Sequence, residues 1–393
     1  MKVSLSTRMQ AFQPSVFSEF DTYKKKKIKQ GYNMIDLSIG SPDLAPPQFV
    51  INILEQAAGE HGSYRYTMTG TKEFHEAVAS YYHAHFHTSL CTDKEICLMM
   101  GSQDGLVHIP MIFANPGDYI LVPDPGYTAY ATGIAMADAI PYLMPLRKEK
   151  NFLPDFSSIS EDVAQKSKLM LLNFPGNPVS AFADEAFFKE AISFAKKYDI
   201  IIVHDFAYGE LYFDGKKPTS FLSVEGAKDV GIEINSLSKS FNLAGCRIGY
   251  VAGNKEIIKA INQFKSNIDY GVFLPIQKAA AAALLHGSSF CEQSRSIYQK
   301  RRDVLIDGLG RIGWNIQKPS GSMFIWAKIP SGWTSTEFAY ALVDQAGVVV
   351  VPGQAFGPSG EGYVRIALVE NEEVMKQVVE RIDKSNILTS VKA

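Results

Sequence analysis

Residues 235–249 read NSLSKSFNLAGCRIG, and the rest of the chain can be read outward from them. The stretch holds one lysine, Lys239, close to Ser236 and Ser238, and one arginine, Arg247, eight residues on. What lies between is small or apolar, and Gly245 and Gly249 read as the punctuation of a turn. A lysine in so poorly solvated a setting is a poor ammonium, because burial disfavours the charged form. Its pKa is expected to fall from about 10.4, leaving a neutral amine that can attack a carbonyl. The two hydroxyls and Arg247 offer donors to a phosphate, the arginine through paired hydrogen bonds that a lysine cannot supply. A surface lysine beside an ion-pairing arginine is the plainer alternative.

The chain's bulk properties narrow the field. With 393 residues, 46% hydrophobic and 20% charged, it can bury a large core but is too long for one simple domain, so two lobes are expected. A net charge of −2 carries no basic excess of the kind nucleic acid requires. The lysine run at 24–27 reads as a solvated helix face. Cys91, Cys97, Cys246 and Cys291 lack C-x-x-C spacing, which suggests neither a disulfide framework nor a zinc site and fits a reducing compartment. His83, His85 and His87, at period two on an expected helix, do not converge on a metal and read as surface residues. The first residues, MKVSLSTRMQAF, lack the apolar core of a secretory signal, and the small apolar run at 279–285 is too short to span a bilayer. A cytoplasmic protein bound neither to membrane nor to nucleic acid is expected.

Between residues 95 and 236 short apolar runs repeatedly end in a turn-forming cluster. Residues 95–100 run into Gly101-Ser102-Gln103, 119–122 into a proline turn ending at Tyr127, and 169–172 into a loop holding Asn177. Residues 200–203 run into His204-Asp205-Phe206-Ala207-Tyr208, and 231–234 into the lysine stretch. Unbroken apolar strands alternating with helices imply a mainly parallel sheet covered on both faces. Ligands bind beyond the carboxyl ends of such strands, so the five clusters are expected to face one cleft. After a long helical stretch at about 275–309, strands are expected at 314–317, 323–328, 347–351 and 363–368, with helices at 335–346 and 371–384, as in a smaller α+β lobe. Upstream, helices are expected at 14–32, 48–60 and 71–86.

Two charges stand out in these strands. Asp205 ends a very apolar run, where an unpaired carboxylate is costly. Arg365 sits in the middle of YVRIAL and needs a partner, either a ligand or a structural salt bridge.

The pattern S-x-S-K-x-x-x-x-x-G-x-R-x-G resembles the lysine segment of class I/II aminotransferases, pyridoxal-phosphate enzymes of fold type I. The resemblance extends from about residue 35 to 365. It implies an α/β fold with a large domain, a mainly parallel sheet between helices, and a smaller α+β domain. The implied boundaries are 1–45 for an N-terminal arm and part of the small domain, 46–285 for the large domain and 286–393 for the small one. It also implies that Lys239 carries pyridoxal 5′-phosphate, that Asp205 faces the protonated pyridine nitrogen, and that Asn177 and Tyr208 bond the ring oxygen. Tyr127 then stacks on the ring, while Gly101, Ser102, Gln103, Ser236, Ser238 and Arg247 hold the phosphate. Arg365, with Asn177 and Gly40, binds the substrate. The implied Tyr66 reaches the partner subunit's phosphate, which makes a homodimer with composite sites. Tyr66 as a loop anchor and Gly40 as a plain turn glycine are the alternatives. The family shows N-P-T-G where this chain has Asn177-Pro178-Val179-Ser180, a departure that touches the turn alone. The implied reaction moves an amino group from an amino acid to a 2-oxo acid, 2-oxoglutarate or pyruvate, and within the family the diaminopimelate/alanine-type branch looks closest. A β-lyase acting on cysteine conjugates shares the same residues and is the alternative. A regulator carrying this domain is not expected, since little chain precedes it for DNA binding.

Overall fold

The structure, a computed structural model, describes residues 3–12 and 16–389. Twelve strands occur among them: β1 Ile35–Asp36, β2 Ile96–Met99, β3 Tyr119–Asp124, β4 Ile140–Pro145, β5 Ser167–Leu172, β6 Ile201–Asp205, β7 Gly231–Ser236, β8 Gly249–Gly253, β9 Phe324–Lys328, β10 Val348–Val349, β11 Val351–Pro352 and β12 Tyr363–Ala367. Seven of them form one sheet in the order β2-β8-β7-β6-β5-β3-β4. All run parallel except β8, which is antiparallel to both β2 and β7. The central strands are buried along nearly their whole length, as expected of a sheet covered on both faces.

Each face of this sheet has its own core. Phe74, Tyr82, Phe188, Phe206 and Phe221 pack on one side, and Ile109, Tyr130, Ile134 and Ile258 on the other. A third core gathers Leu305, Trp314, Phe324, Phe338, Val364 and Met375 around the antiparallel sheet β11-β12-β9. Phe20, Ile35 and Leu37 belong to that third core, and β1 pairs in parallel with β10, so the N-terminal segment joins the C-terminal lobe. One helix, Ser288–Arg311, serves two cores: Cys291 packs in the first, Tyr298 and Leu305 in the third.

The five apolar runs are strands, and the expectations for the lobe after residue 320 hold closely. Other expectations need correction. Residues 314–317 form no strand; Trp314 is buried as a core side chain, its Nε1 donating to the Lys328 carbonyl at 2.7 Å. β4 and β8 are additional. β4 is an edge strand, where its prolines Pro141 and Pro145 are tolerated. Gly249 opens β8 rather than closing a turn. The helix expected over 14–32 is Val16–Lys29, and positions 14 and 15 lie outside the described residues. The stretch at 275–309 is two helices, Leu274–His286 and Ser288–Arg311, parted at Gly287, where a Cβ would come within 2.3 Å of the Phe241 ring. The lysine run is not simply solvated: Lys24 pairs with Asp36 and Lys27 with Asp344. His83 and His87 are exposed, but His85 is half-buried and stacks on Tyr81 at 4.4 Å. Among the described residues no helix is long and apolar enough to cross a membrane, and no group of His, Cys, Asp and Glu could hold a metal.

Candidate active site

The five strand ends open on one cavity of about 460 Å³. Gly40, Ser102, Gln103, Tyr127, Asn177, Asp205, Tyr208, Ser236, Ser238, Lys239, Arg247 and Arg365 all line it.

Lys239 lies in the single helical turn Leu237–Ser240, capped by Ser236, whose Oγ accepts from the Ser238 N–H at 3.2 Å. Its Nζ donates to the Gly40 carbonyl. Burial, then the positive charges of Arg365 and Arg247, pull the Lys239 pKa down to about 8. The drop expected from sequence is therefore built into the chain, and the two arginines contribute to it.

Beside it three backbone segments converge. Gly101, at φ 82°, caps the helix Ser102–Phe113, whose first turn presents free N–H groups to the cavity end of the sheet. A Cβ on Gly101 would lie 2.6 Å from Arg247 Nη2. A Cβ on Gly249 would meet the Asn235 carbonyl at 2.6 Å and the Ser102 nitrogen at 3.0 Å. Both glycines therefore make room for the close approach of backbone and guanidinium. Arg247 itself adopts φ 51° and donates to the Ala244 carbonyl at 3.0 Å.

Asp205 is buried at the end of β6, where burial raises its pKa. It accepts from Tyr130 Oη at 2.9 Å and from the Ala207 N–H at 3.3 Å, and forms no ion pair among the described residues. Tyr127 meets Tyr130 edge-on at 5.7 Å and donates to Gln103 Oε1 at 3.4 Å. Tyr208 packs edge-on against Phe324, and burial pushes its hydroxyl pKa up. Asn173 ties the neighbouring loop to this strand: its Nδ2 donates to the Asp205 carbonyl at 2.7 Å and its Oδ1 accepts from the Asn177 N–H at 2.9 Å.

Arg365 reaches the cavity from β12. Its Nη1 donates to Asn177 Oδ1 at 2.9 Å and its Nη2 to the Ser38 carbonyl at 2.5 Å. The guanidinium lies over the rings of Phe324 and Phe356, at 4.3 and 5.0 Å. Burial lowers its pKa to about 10, and it remains a cation at neutral pH.

Tyr66 is the exception among the expected residues. It is 81% exposed, packs against Tyr270 at 5.0 Å, and lines a separate surface groove with Tyr64 and Phe273. Two residues of the site escaped sequence reading, Tyr130 and Asn173. The signals for them were slight: an aromatic three positions after Tyr127, and an asparagine four residues before Asn177.

These residues fit pyridoxal phosphate. A buried carboxylate without an ion-pair partner suits a protonated ring nitrogen. The helix N-terminus at Ser102, with Ser236, Ser238 and Arg247 around two obligatory glycines, suits a phosphate. Lys239, with its depressed pKa, suits attachment.

The comparisons with known proteins agree with this geometry. Residues 32–382 match the family model described as Aminotransferase class I and II. The chain is 42% identical over 381 residues to an LL-diaminopimelate aminotransferase of Halothermothrix orenii, covering 97% of this chain and 98% of that one. It is 39% identical over 390 residues to an L-glutamine–4-(methylsulfanyl)-2-oxobutanoate aminotransferase of Bacillus subtilis, covering 99% and 98%. Among solved structures, substrate-bound BacF from Bacillus subtilis superposes with a TM-score of 0.95 at 38% identity, covering all of both chains. The two relatives compared by sequence bear aminotransferase names, and the lyase alternative gains no support from them.

Proposed function

We propose a division of labour for this chain, which belongs to the class I and II aminotransferase family and is a pyridoxal-phosphate-dependent transaminase. When bound, the cofactor supplies an aldehyde for amines to attack and a ring that draws electrons away from the substrate's Cα.

In this reading Lys239 Nζ is the attachment point. As a neutral amine the same nitrogen would act as the base that takes a proton from the donor's Cα. Burial, then the charges of Arg365 and Arg247, keep part of it unprotonated near pH 8. Asp205, held by Tyr130, would face the ring nitrogen, Asn177 and Tyr208 would hydrogen-bond the ring oxygen, and Tyr127 would cover the ring. Gly101, Ser102, Gln103, Ser236, Ser238 and Arg247 hold the phosphate. Arg365 grips the donor's α-carboxylate through its planar fork, already oriented by Asn177 and Ser38. Gly40 keeps the backbone close, since a Cβ there would press on Phe324 at 2.7 Å.

The observation that carries this reading is the meeting of Lys239, Asp205 and Arg365 in one cavity from three separate parts of the chain. The relatives named for LL-diaminopimelate support a diamino dicarboxylic donor, and the acceptor we propose is 2-oxoglutarate or pyruvate. Four free cysteines support a cytoplasmic setting. We also read residues 1–45 and 286–393 as the small domain and 46–285 as the large one. The functional unit is a homodimer in which Tyr66 reaches the partner subunit's phosphate, in keeping with its exposure here.

The test is to supply the holoenzyme with single amino donors and 2-oxoglutarate or pyruvate, and to measure the glutamate or alanine formed. Diaminopimelate is expected to lead the panel; a flat response to it, with another donor preferred, overturns the donor assignment. For the dimer, mixing Lys239→Ala with Tyr66→Glu subunits is expected to restore activity that neither variant has. Hybrids proven by mass that recover nothing exclude Tyr66 from the partner's site.

A further inference from the structure

The helix Val16–Lys29 contributes Phe20, Asp21 and Lys24 to the wall of the cavity that holds Lys239 and Arg365. The Lys24 side chain is only 13% exposed, and its Nζ lies 2.9 Å from Asp21 Oδ1 and 2.8 Å from Asp36 Oδ2. An ammonium has three N–H donors, so these two acceptors leave one. Asp21 gives its other oxygen to Lys25 at 2.6 Å and keeps its side chain 40% exposed. A carboxylate offers about four lone-pair sites, so acceptor capacity remains there too.

Anchoring the helix does not depend on this pair. Tyr23 and Lys27 already dock on Asp344, at 2.7 and 2.6 Å. Asp36 in turn accepts from the Ser38 N–H at 2.9 Å and from Ser38 Oγ at 2.6 Å, and Ser38 offers its carbonyl to Arg365. Besides Lys239 and Arg247, the cavity therefore carries two further cations, Arg365 and Lys24, joined through Ser38 and Asp36, and an anion, Asp21, beside the second.

We propose that Lys24 and Asp21 are specificity-determining residues that read the far end of the amino donor. Lys24 accepts a second carboxylate and Asp21 an ammonium next to it, so the favoured donor carries an amino-acid head at each end. This rests on the reading of Arg365 as the α-carboxylate holder. A donor with an apolar far end leaves the pair unanswered, which is how discrimination arises.

The experiment compares three donors on the holoenzyme: diaminopimelate, 2-aminoheptanedioate, which lacks the far ammonium, and norleucine, which lacks both far charges. Lys24→Met is expected to lower the kcat/KM ratio of either dicarboxylic donor to norleucine by about tenfold or more. Asp21→Asn is expected to lower only the ratio of diaminopimelate to 2-aminoheptanedioate. Binding of unreactive heptanedioate, measured against hexanoate, should follow the same order without turnover. If Lys24→Met weakens every donor by one common factor, or leaves the ratios within twofold, the proposal is overturned. Should Arg365→Lys leave KM in place for all three donors, the reading beneath it fails instead, and the proposal with it.

Discussion

Two neighbouring residues of β6, His204 and Asp205, point to opposite faces of the same sheet and meet opposite fates. His204 is fully buried, with Nδ1 2.9 Å from Glu233 Oε2 and Nε2 3.1 Å from the Phe174 carbonyl. Glu233 takes further hydrogen bonds from Tyr82 Oη at 2.6 Å, Ser220 Oγ at 2.9 Å and the Phe221 N–H at 2.8 Å. On that face the chain answers its own polar groups in full. On the other face Asp205 is equally buried but has no ion-pair partner, and Lys239 is held as a reluctant cation. The difference teaches that burial of charge is not itself the mark of a site. The mark is burial of charge that the fold leaves for a ligand to complete.

The comparison can be broken most severely at Asp205. Asp205→Asn keeps the hydrogen bond from Tyr130 but removes the charge proposed to face the ring nitrogen. At roughly 3 Å and an effective dielectric of ~20 that charge pair is worth about 5 kcal/mol, so proton abstraction from Cα should slow by about three to four decades. Single-turnover rates check this, and thermal melts of the apoprotein should barely move.

Glu233→Gln, on the closed face, is expected to do the reverse. Turning this carboxylate into an amide leaves buried donors unanswered, at about 1–3 kcal/mol each and about 3–5 kcal/mol together, visible in the denaturant midpoint, with the single-turnover rate of the folded fraction staying close to wild type. A variant as stable as wild type would place Glu233 outside the structural cluster.

The open face should also show its cost in the apoprotein. The folded-state pKa of Lys239, about 8, lies below the usual 10.5. Each unit of difference is worth about 1.4 kcal/mol. Lys239→Met should therefore stabilise the apoprotein by about 3 kcal/mol at pH 7. The sign follows from the depressed pKa: the penalty is complete below pH 8, shrinks as pH rises from 8, and is gone above about 10.5. Denaturant titrations of both proteins at pH 7, 9 and 10.5 test it, and a gain that does not shrink with pH sinks the argument.

The smallest effect is expected at Arg365→Lys, which keeps the charge and loses the fork. A loss of about 2 kcal/mol in charge-assisted hydrogen bonding corresponds to roughly a thirtyfold rise in KM. It should appear for every donor tried, because all share the α-carboxylate.

How much of this was legible in the sequence follows from what each element buries. β3, β5, β6 and β7 are apolar runs ended by turn residues, so their existence and the convergence of their ends could be read directly. β4 and β8 could not. An edge strand bearing Pro141 and Pro145 has no unbroken apolar run, and GYVAG is too short and glycine-rich to separate from the turn before it. Residues 314–317 failed in the other direction, since a buried tryptophan gives an apolar signal without a strand. The site was legible wherever a residue sat at a strand end. Tyr130 was hidden inside a helix and Asn173 inside a loop, where their only signal is a partner distant in sequence. Asp21 and Lys24 looked like ordinary helix-surface charges until the helix was seen to wall the cavity.

The helix Ser288–Arg311 has a mechanical consequence. At 1.5 Å per residue its 24 residues make a rod roughly 36 Å long. One end is embedded at Cys291 and the other half at Tyr298, Leu305 and Leu309. Arg301, on the far half, grips both carboxylate oxygens of Asp43 at 2.7 Å and the Leu368 carbonyl at 2.9 Å. The segment after Gly40 and the end of the strand bearing Arg365 are thus geared to the far half of this rod, whereas the turn bearing Lys239 meets its near end, where Cys291 Sγ donates to the Ser240 carbonyl at 3.4 Å. A swing of about 10° at its middle sweeps the far end through roughly 3 Å, the width of a hydrogen bond. A lever of that length converts a small angular change into a change of spacing between the arginine and the lysine.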